Sequence, residues 1–201
     1  MDNKHDINKV IIDSLEDLFD EQIYDECSLF KIDKFYYISE GAVLVMERDR
    51  IFKVIHSGDF VGVGIALSNK HYHVKKNFFI KPLEACKIHS IETEKLLKRV
   101  EEKNLHKDFV IFFIYRLSEM TNHLSDFNSV DAYKQIREGI YYYELNKKTL
   151  LGKITLSRFL IELTDVSKSR VMHILKELRY GGYYEFSNQD IIIKKKLPSK
   201  F

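Results

Sequence analysis

The side chains best suited to chemistry lie in one string, Thr155 to Arg179, of this 201-residue chain. Leu156, Phe159, Leu160 and Leu163 recur at helical spacing, and Val171, Ile174, Leu175 and Leu178 do so again after a short break. At about 100° per residue, the face opposite the second set carries Ser169, His173 and Lys176, with Arg170 and Met172 flanking it. These are donors on consecutive turns, a pattern for recognition rather than for making bonds. The major groove of duplex DNA admits one helix, and its base edges are read by donor-bearing side chains on that helix's exposed face. Ser167 stands where its hydroxyl caps the second helix, while Lys168 and Arg170 are placed to pair with phosphates or reach a guanine. Val166 lies between the helices as an apolar plug.

The residues after this string extend the pattern. Gly181 and Gly182 let the chain reverse, and Tyr183 to Phe186 and Ile191 to Lys194 read as two strands around Ser187, Asn188, Gln189 and Asp190. The hairpin is expected to be a wing beside the helix pair. Lys194, Lys195 and Lys196 add positive charge for sequence-independent phosphate contacts. Residues 131 to 201 hold 14 basic and 8 acidic residues, against 18 and 22 in residues 1 to 130, so the basic excess falls on this end.

These residues resemble the C-terminal winged helix-turn-helix of the Crp/Fnr superfamily of bacterial transcription regulators. The likeness is carried by Val166-Ser167-Lys168-Ser169-Arg170-Val171 and Ile174-Leu175-Lys176-Glu177-Leu178, and upstream by Glu40-Gly41-Ala42-Val43 and Gly58-Asp59-Phe60-Val61-Gly62. Leu197 to Phe201 and Tyr133 to Arg137 are most similar to the IprA-type branch. The resemblance implies a homodimer that binds double-stranded DNA, with RNA polymerase as a further candidate partner and no membrane. It places Lys168, Ser169 and His173 at base-reading positions and Lys176 at a phosphate or base-edge position. The expected DNA-binding set is Ser167, Lys168, Ser169, Arg170, His173, Lys176, Asn188, Gln189 and Lys194. Many members have Glu and Arg where this chain has Ser169 and His173, so their operator half-site is not carried over. Asp165 likewise replaces the small residue usual in the turn.

Other elements must hold this constellation. Ile7, Val10, Ile11, Leu15, Leu18, Phe19 and Ile23 predict one amphipathic helix over residues 6 to 26, with an acidic outer face. Residues 29 to 90 read as short strands, among them Lys34 to Ser39, Ala42 to Glu47, Ile51 to His56, Asn77 to Ile80 and Ala85 to Ser90. A helical stretch from Thr93 breaks near Asn104 and resumes to about Asn128, where Phe113, Leu117, Met120, Leu124 and Phe127 form a short heptad seam. The expected fold is α+β: a cupin-like, cyclic-nucleotide-binding-domain-like β-roll, a long dimerisation helix over about 104–128, and the winged helix-turn-helix. The boundary is drawn between a sensory domain, 1–128, and a DNA-binding domain, 129–201.

The sensor is less explicit. Cyclic-nucleotide members clamp a phosphate with a Gly-Glu pair and a later Arg; no Glu follows Gly58 to Ile65 here, and Lys75-Lys76 stand where the Arg would be. Cyclic AMP, a cofactor and a resident metal are not expected, and the effector is left open. Cys27 and Cys86 are too few for an iron-sulfur cluster within one chain, which leaves a thiol redox role open. The alternatives are a cupin-like metal protein or enzyme using His71 and His73 with His56 or His89, and a protein-interaction module. The longest strongly apolar run, Phe109 to Tyr115, is far shorter than the roughly 20 residues of a membrane span. The leading residues hold no secretory pattern, and a non-enzymatic cytoplasmic protein is expected.

Overall fold

The computed structural model describes residues 3–62, 64, 77–127, 131–187 and 190–200. The chain divides into two compact units, Met1–Arg48 with Phe52–Glu119, and Asp49–Ile51 with Met120–Phe201. The first begins with helix α1 (Asn3–Leu15) and strands β1 (Asp20–Tyr24), β2 (Phe30–Lys31), β3 (Phe35–Glu40), β4 (Ala42–Glu47), β5 (Arg50–His56), β6 (Asp59–Val61), β7 (Phe78–Pro82) and β8 (Cys86–Ile91). Helices α2 (Thr93–Glu102) and α3 (His106–Phe127) come next. The strands form two four-stranded sheets, ordered β1-β8-β3-β6 and β2-β7-β4-β5. Pairing is antiparallel, with Ile38 opposite Ile88 and Val45 opposite Ile80.

Alternation along the strands produces two cores. Tyr36, Ile38, Val43, Val45, Ile55, Ile80, Cys86 and Ile88 combine side chains of both sheets. On the other face of β3, β6 and β8, Phe35, Phe60 and Ile91 pack with Ile7, Ile11 and Leu15 of α1, Leu96 and Val100 of α2, and Phe109 and Phe112 of α3. Two turn glycines are required by geometry. A side chain at Gly41 (φ +84°) would strike Cys86 Sγ, and one at Gly62 (φ +101°) would strike the Lys34 carbonyl.

The N-terminal helix is shorter than its periodicity predicts. It stops at Leu15, and Asp20–Tyr24 instead pair with β8, from Asp20 opposite Ser90 to Tyr24 opposite Cys86. Ile23, assigned to the buried stripe by helical spacing, is 70% exposed on that strand. A long-range ladder outweighs the local pattern, since it satisfies backbone groups that a helix would otherwise have to pair. The break near Asn104 is present, and Asn104 takes a left-handed φ of +53° between α2 and α3.

One buried ion pair ties α3 to the strands. Phe109 and Phe112 insert into the helix-side core, and one turn further on Arg116 hydrogen-bonds Asp59 at the start of β6. Both side chains are mostly buried. Asp59 Oδ1 also accepts the Phe60 N–H at 2.8 Å, and the Arg116 guanidinium lies 5.0 Å from the Phe112 ring centre. Arg116 donates to Glu119 at 3.0 Å, and Glu119 in turn holds Lys53 at 2.9 Å. Burial pushes the Arg116 pKa below the usual guanidinium range.

The seam predicted on α3 divides differently from its heptad pattern. Phe113 packs against the helix-side core, and Phe127 is buried with its ring 5.8 Å from that of Tyr142. Among the described residues the uncovered large hydrophobic side chains of α3 are Val110, Ile111, Ile114, Tyr115, Leu117 and Met120, with Leu117 61% exposed. The uncovered stripe is thus rotated from the predicted one, because Phe109 and Phe112 claim the side of the helix next to Phe113. The Leu124 side chain lies outside the described residues.

Arg116→Met is expected to lower stability by about 3 kcal/mol, the scale for leaving a buried charge uncompensated, because Asp59 and Glu119 both lose the guanidinium, and Asp59→Ala by less, because Arg116 keeps Glu119. Urea unfolding of the two variants checks the order.

Candidate nucleic-acid interface

The second unit contains α4 (Ala132–Leu145), α5 (Lys147–Leu150), α6 (Leu156–Leu163), α7 (Lys168–Tyr180), β9 (Tyr184–Ser187) and β10 (Asp190–Ile193). Asp131 caps α4, its carboxylate accepting the Tyr133 N–H at 2.9 Å. Ile136, Ile140 and Tyr143 of α4 are buried together with Phe159, Leu160 and Leu163 of α6 and Val171, Ile174 and Leu178 of α7. Gly139 makes the close approach of α4 to α6 feasible, since a Cβ there would stand 2.5 Å from Leu160 Cδ2. The Tyr143 ring meets Phe159 edge-on at 5.3 Å, and its hydroxyl donates to the Ile154 carbonyl at 2.9 Å.

The turn between α6 and α7 is held by one local bond and one to α4. The Thr164 hydroxyl donates to the Leu160 carbonyl at 2.8 Å, and the Asp165 N–H donates to the buried Gln135 side chain at 3.2 Å. Val166 is buried in the turn, as its plug role requires. Ser167 caps α7 and accepts the Arg170 N–H at 3.4 Å. Its oxygen is therefore engaged in holding the helix, within 3.3 Å of the Ser169 hydroxyl.

Lys168, Ser169, Arg170, His173 and Lys176 are all exposed on α7. Ser169, His173 and Lys176 share the face opposite Val171 and Leu178, whereas Lys168 flanks it next to Leu175 and Arg170 lies about 60° beyond His173, beside Glu177. Met172, already placed beside this face by the helical wheel, is exposed, and two further exposed residues belong to the region, Arg179 and Tyr180, the last 88% exposed. These two become visible in the sequence when the helical wheel is carried through to the observed helix end at Tyr180. Arg179 also reaches the hairpin, its guanidinium 5.8 Å from the Phe186 ring centre.

The hairpin pairs Tyr184 with Ile193 through to Ser187 with Asp190. It is fastened by the buried Tyr184 hydroxyl, which donates to the Leu175 carbonyl at 3.0 Å, and by Lys147, which donates to the Ile191 carbonyl at 2.9 Å. Lys194 forms an ion pair with Glu185, and Lys195 lies 4.2 Å from the Tyr183 ring centre. The lysine run is thus partly engaged within the hairpin. Beyond it Leu197 is buried, its N–H bonded to the Tyr141 hydroxyl, and Tyr133 donates to the Pro198 carbonyl. Asn188 and Gln189 lie outside the described residues, as do His71, His73, Lys75 and Lys76.

Elsewhere, His89 Nε2 lies 2.8 Å from the Ser39 hydroxyl, with the His89 ring near Phe19 and Tyr37. Cys86 is buried, its thiol donating to the Ala42 carbonyl, and burial pushes its pKa up; Cys27 is exposed. Among the described residues no group of three His, Cys, Asp or Glu side chains is placed to hold a metal ion. Nor is any described helix long and apolar enough to cross a membrane.

No family model matches the chain. A Salmonella typhimurium protein named inhibitor of hydrogen peroxide resistance is 21% identical over 167 residues, spanning 83% of this chain and 79% of that protein. Among solved structures, the c-di-GMP-responsive global regulator CLP of Xanthomonas campestris superposes with a TM-score of 0.70 at 15% identity, over 93% of this chain and 99% of that one. A protein described as a Crp/Fnr-family transcriptional regulator from Eubacterium rectale gives 0.68 at 10% identity, over 98% and 94%. A CooA mutant from Carboxydothermus hydrogenoformans gives 0.63 at 15%, over 93% and 86%. The fold is that of these Crp/Fnr-type regulators.

Filling the contact at Gly139 separates α4 from α6. Gly139→Val is expected to cost about 2 kcal/mol through overpacking, read as a lowered thermal midpoint.

Proposed function

We propose that this chain is a sequence-specific DNA-binding transcription regulator of Crp/Fnr type, not an enzyme, that acts as a cytoplasmic homodimer on an inverted-repeat operator. The observation that carries the reading is the outer face of α7, where Ser169, His173 and Lys176 stand exposed, flanked by Lys168 and Arg170, on a helix whose opposite side is locked into the second unit's core. In this reading β9 and β10 form the wing, and residues 129–201 are the DNA-binding domain. Residues 1–128 form the sensory domain with its dimer helix. Two copies of α7 related by a two-fold axis would enter major grooves roughly 34 Å apart.

The uncovered stripe Val110, Ile114 and Leu117 supports the dimer, because these spacings of four and three seat one helix against another. The engagement of Asp59 by Arg116 supports a roll without a cyclic-AMP site, since the carboxylate in the Gly58–Gly62 motif is already committed within the protein. The name of the Salmonella relative directs a first search for target genes to those of peroxide resistance.

Duplex binding should weaken steeply with salt, by about 0.9 in log affinity per log salt for each phosphate neutralised. Lys168→Ala with Arg170→Ala should lower affinity and flatten that slope by about one for each cation removed from a phosphate. Fluorescence anisotropy across a salt series checks both; binding insensitive to salt and to the substitutions contradicts the DNA reading. Light scattering at micromolar concentration should give twice 23.9 kDa for the native chain and 23.9 kDa for folded Ile114→Glu with Leu117→Glu.

A further inference from the structure

One residue beside the outer face of α7 differs in kind from its exposed neighbours. Met172 is 49% exposed, and its neighbours at one helical turn are Lys168, Ser169, Leu175 and Lys176, with Arg179 two turns on. The apolar stripe that buries the helix runs through Val171, Ile174, Leu175 and Leu178, and Met172 borders it. A single exposed apolar side chain is ordinary on a protein surface. This one lies at the edge of the stripe beside Leu175 and turns its exposed half toward three cations and a hydroxyl, bordering the face that the proposed function turns toward the major groove.

We propose that Met172 is a specificity residue that selects a thymine in each half-site by packing its thioether side chain on the thymine C5-methyl group. The inference rests on the DNA-binding reading of α7 and adds the chemistry of one base contact to it. Each base pair shows the major groove a distinct set of groups, and the thymine methyl is the apolar one. Methionine donates no hydrogen bond and accepts only weakly, so against guanine or adenine it would cover N7 or O6 acceptors without satisfying them. Against thymine it buries a methyl. The unbranched, flexible chain lets the contact form without a fixed rotamer. Lys168, Lys176 and Arg179 around it provide charge complementary to the phosphates on either side.

The full-length protein is used to enrich a duplex from a random library, and each thymine of the enriched half-site is then replaced in turn by deoxyuridine, which lacks only the methyl. At one thymine per half-site the replacement should weaken the native protein on the order of fourfold, the effect of one buried methyl group. Met172→Ala, whose exposed position leaves the fold intact by circular dichroism, should bind the thymine duplex more weakly and be indifferent to deoxyuridine at that site. A native protein indifferent to every deoxyuridine, or a Met172→Ala variant that keeps the same sensitivity, overturns the Met172 assignment and leaves DNA binding standing. Failure to enrich any duplex overturns the DNA reading and the assignment with it.

Discussion

A buried guanidinium needs a carboxylate, and the placement of α3 on the first unit results from that requirement. Arg116 lies one turn beyond Phe109 and Phe112, and Asp59 opens the short strand β6. Aromatic packing alone would tolerate rotation or sliding of a helix, since apolar contacts are not directional. The ion pair does not, because displacing Arg116 would leave two desolvated charges apart. With Lys53 and Glu119 it forms a connected set that fixes which side of α3 is covered and which apolar residues stay outside.

That constraint also bears on the turn before β6. Gly58-Asp59-Phe60-Val61-Gly62 resembles a turn motif of effector-binding rolls, yet its carboxylate is turned to a helix of the same chain. Gly62 brings the turn against the Lys34 carbonyl, and Asn8 donates to the Gly58 carbonyl at 2.9 Å from the N-terminal helix. The motif therefore serves as a structural joint between strands and helices. A roll built in this way can keep the fold of the nucleotide-responsive regulators while its turn residues do different work.

The second unit solves a separate problem, that of presenting one helical face while holding the other still. α7 is anchored through Val171, Ile174 and Leu178, started by the Ser167 cap and backed by the hairpin through Tyr184. These contacts lie on the inner side or at the ends of the helix. The lysines after the hairpin differ, because Lys194 is paired with Glu185 and Lys195 lies over Tyr183. In the proposed function their part is to hold and charge the wing, and the direct reading falls to α7.

Helices α4, α6 and α7 of the second unit are legible in the sequence from spacing and caps, whereas the short α5 is not. Asp131 and Ser167 cap them through bonds to residues two or three positions away, and their apolar faces repeat at the helical period. These are local interactions, and a linear pattern records them directly. The strand Asp20–Tyr24, by contrast, looks helical and becomes a strand only because β8, more than sixty residues later, pairs with it. The rotated apolar stripe of α3 and the Asp59–Arg116 pair across 57 positions are of the same kind. Local pattern therefore suffices to specify the α+β architecture, the helix pair and its outward donors. Which groups are already satisfied by distant parts of the chain is settled only on folding, because hydrogen-bond and charge pairing between remote residues depends on proximity that the fold alone creates.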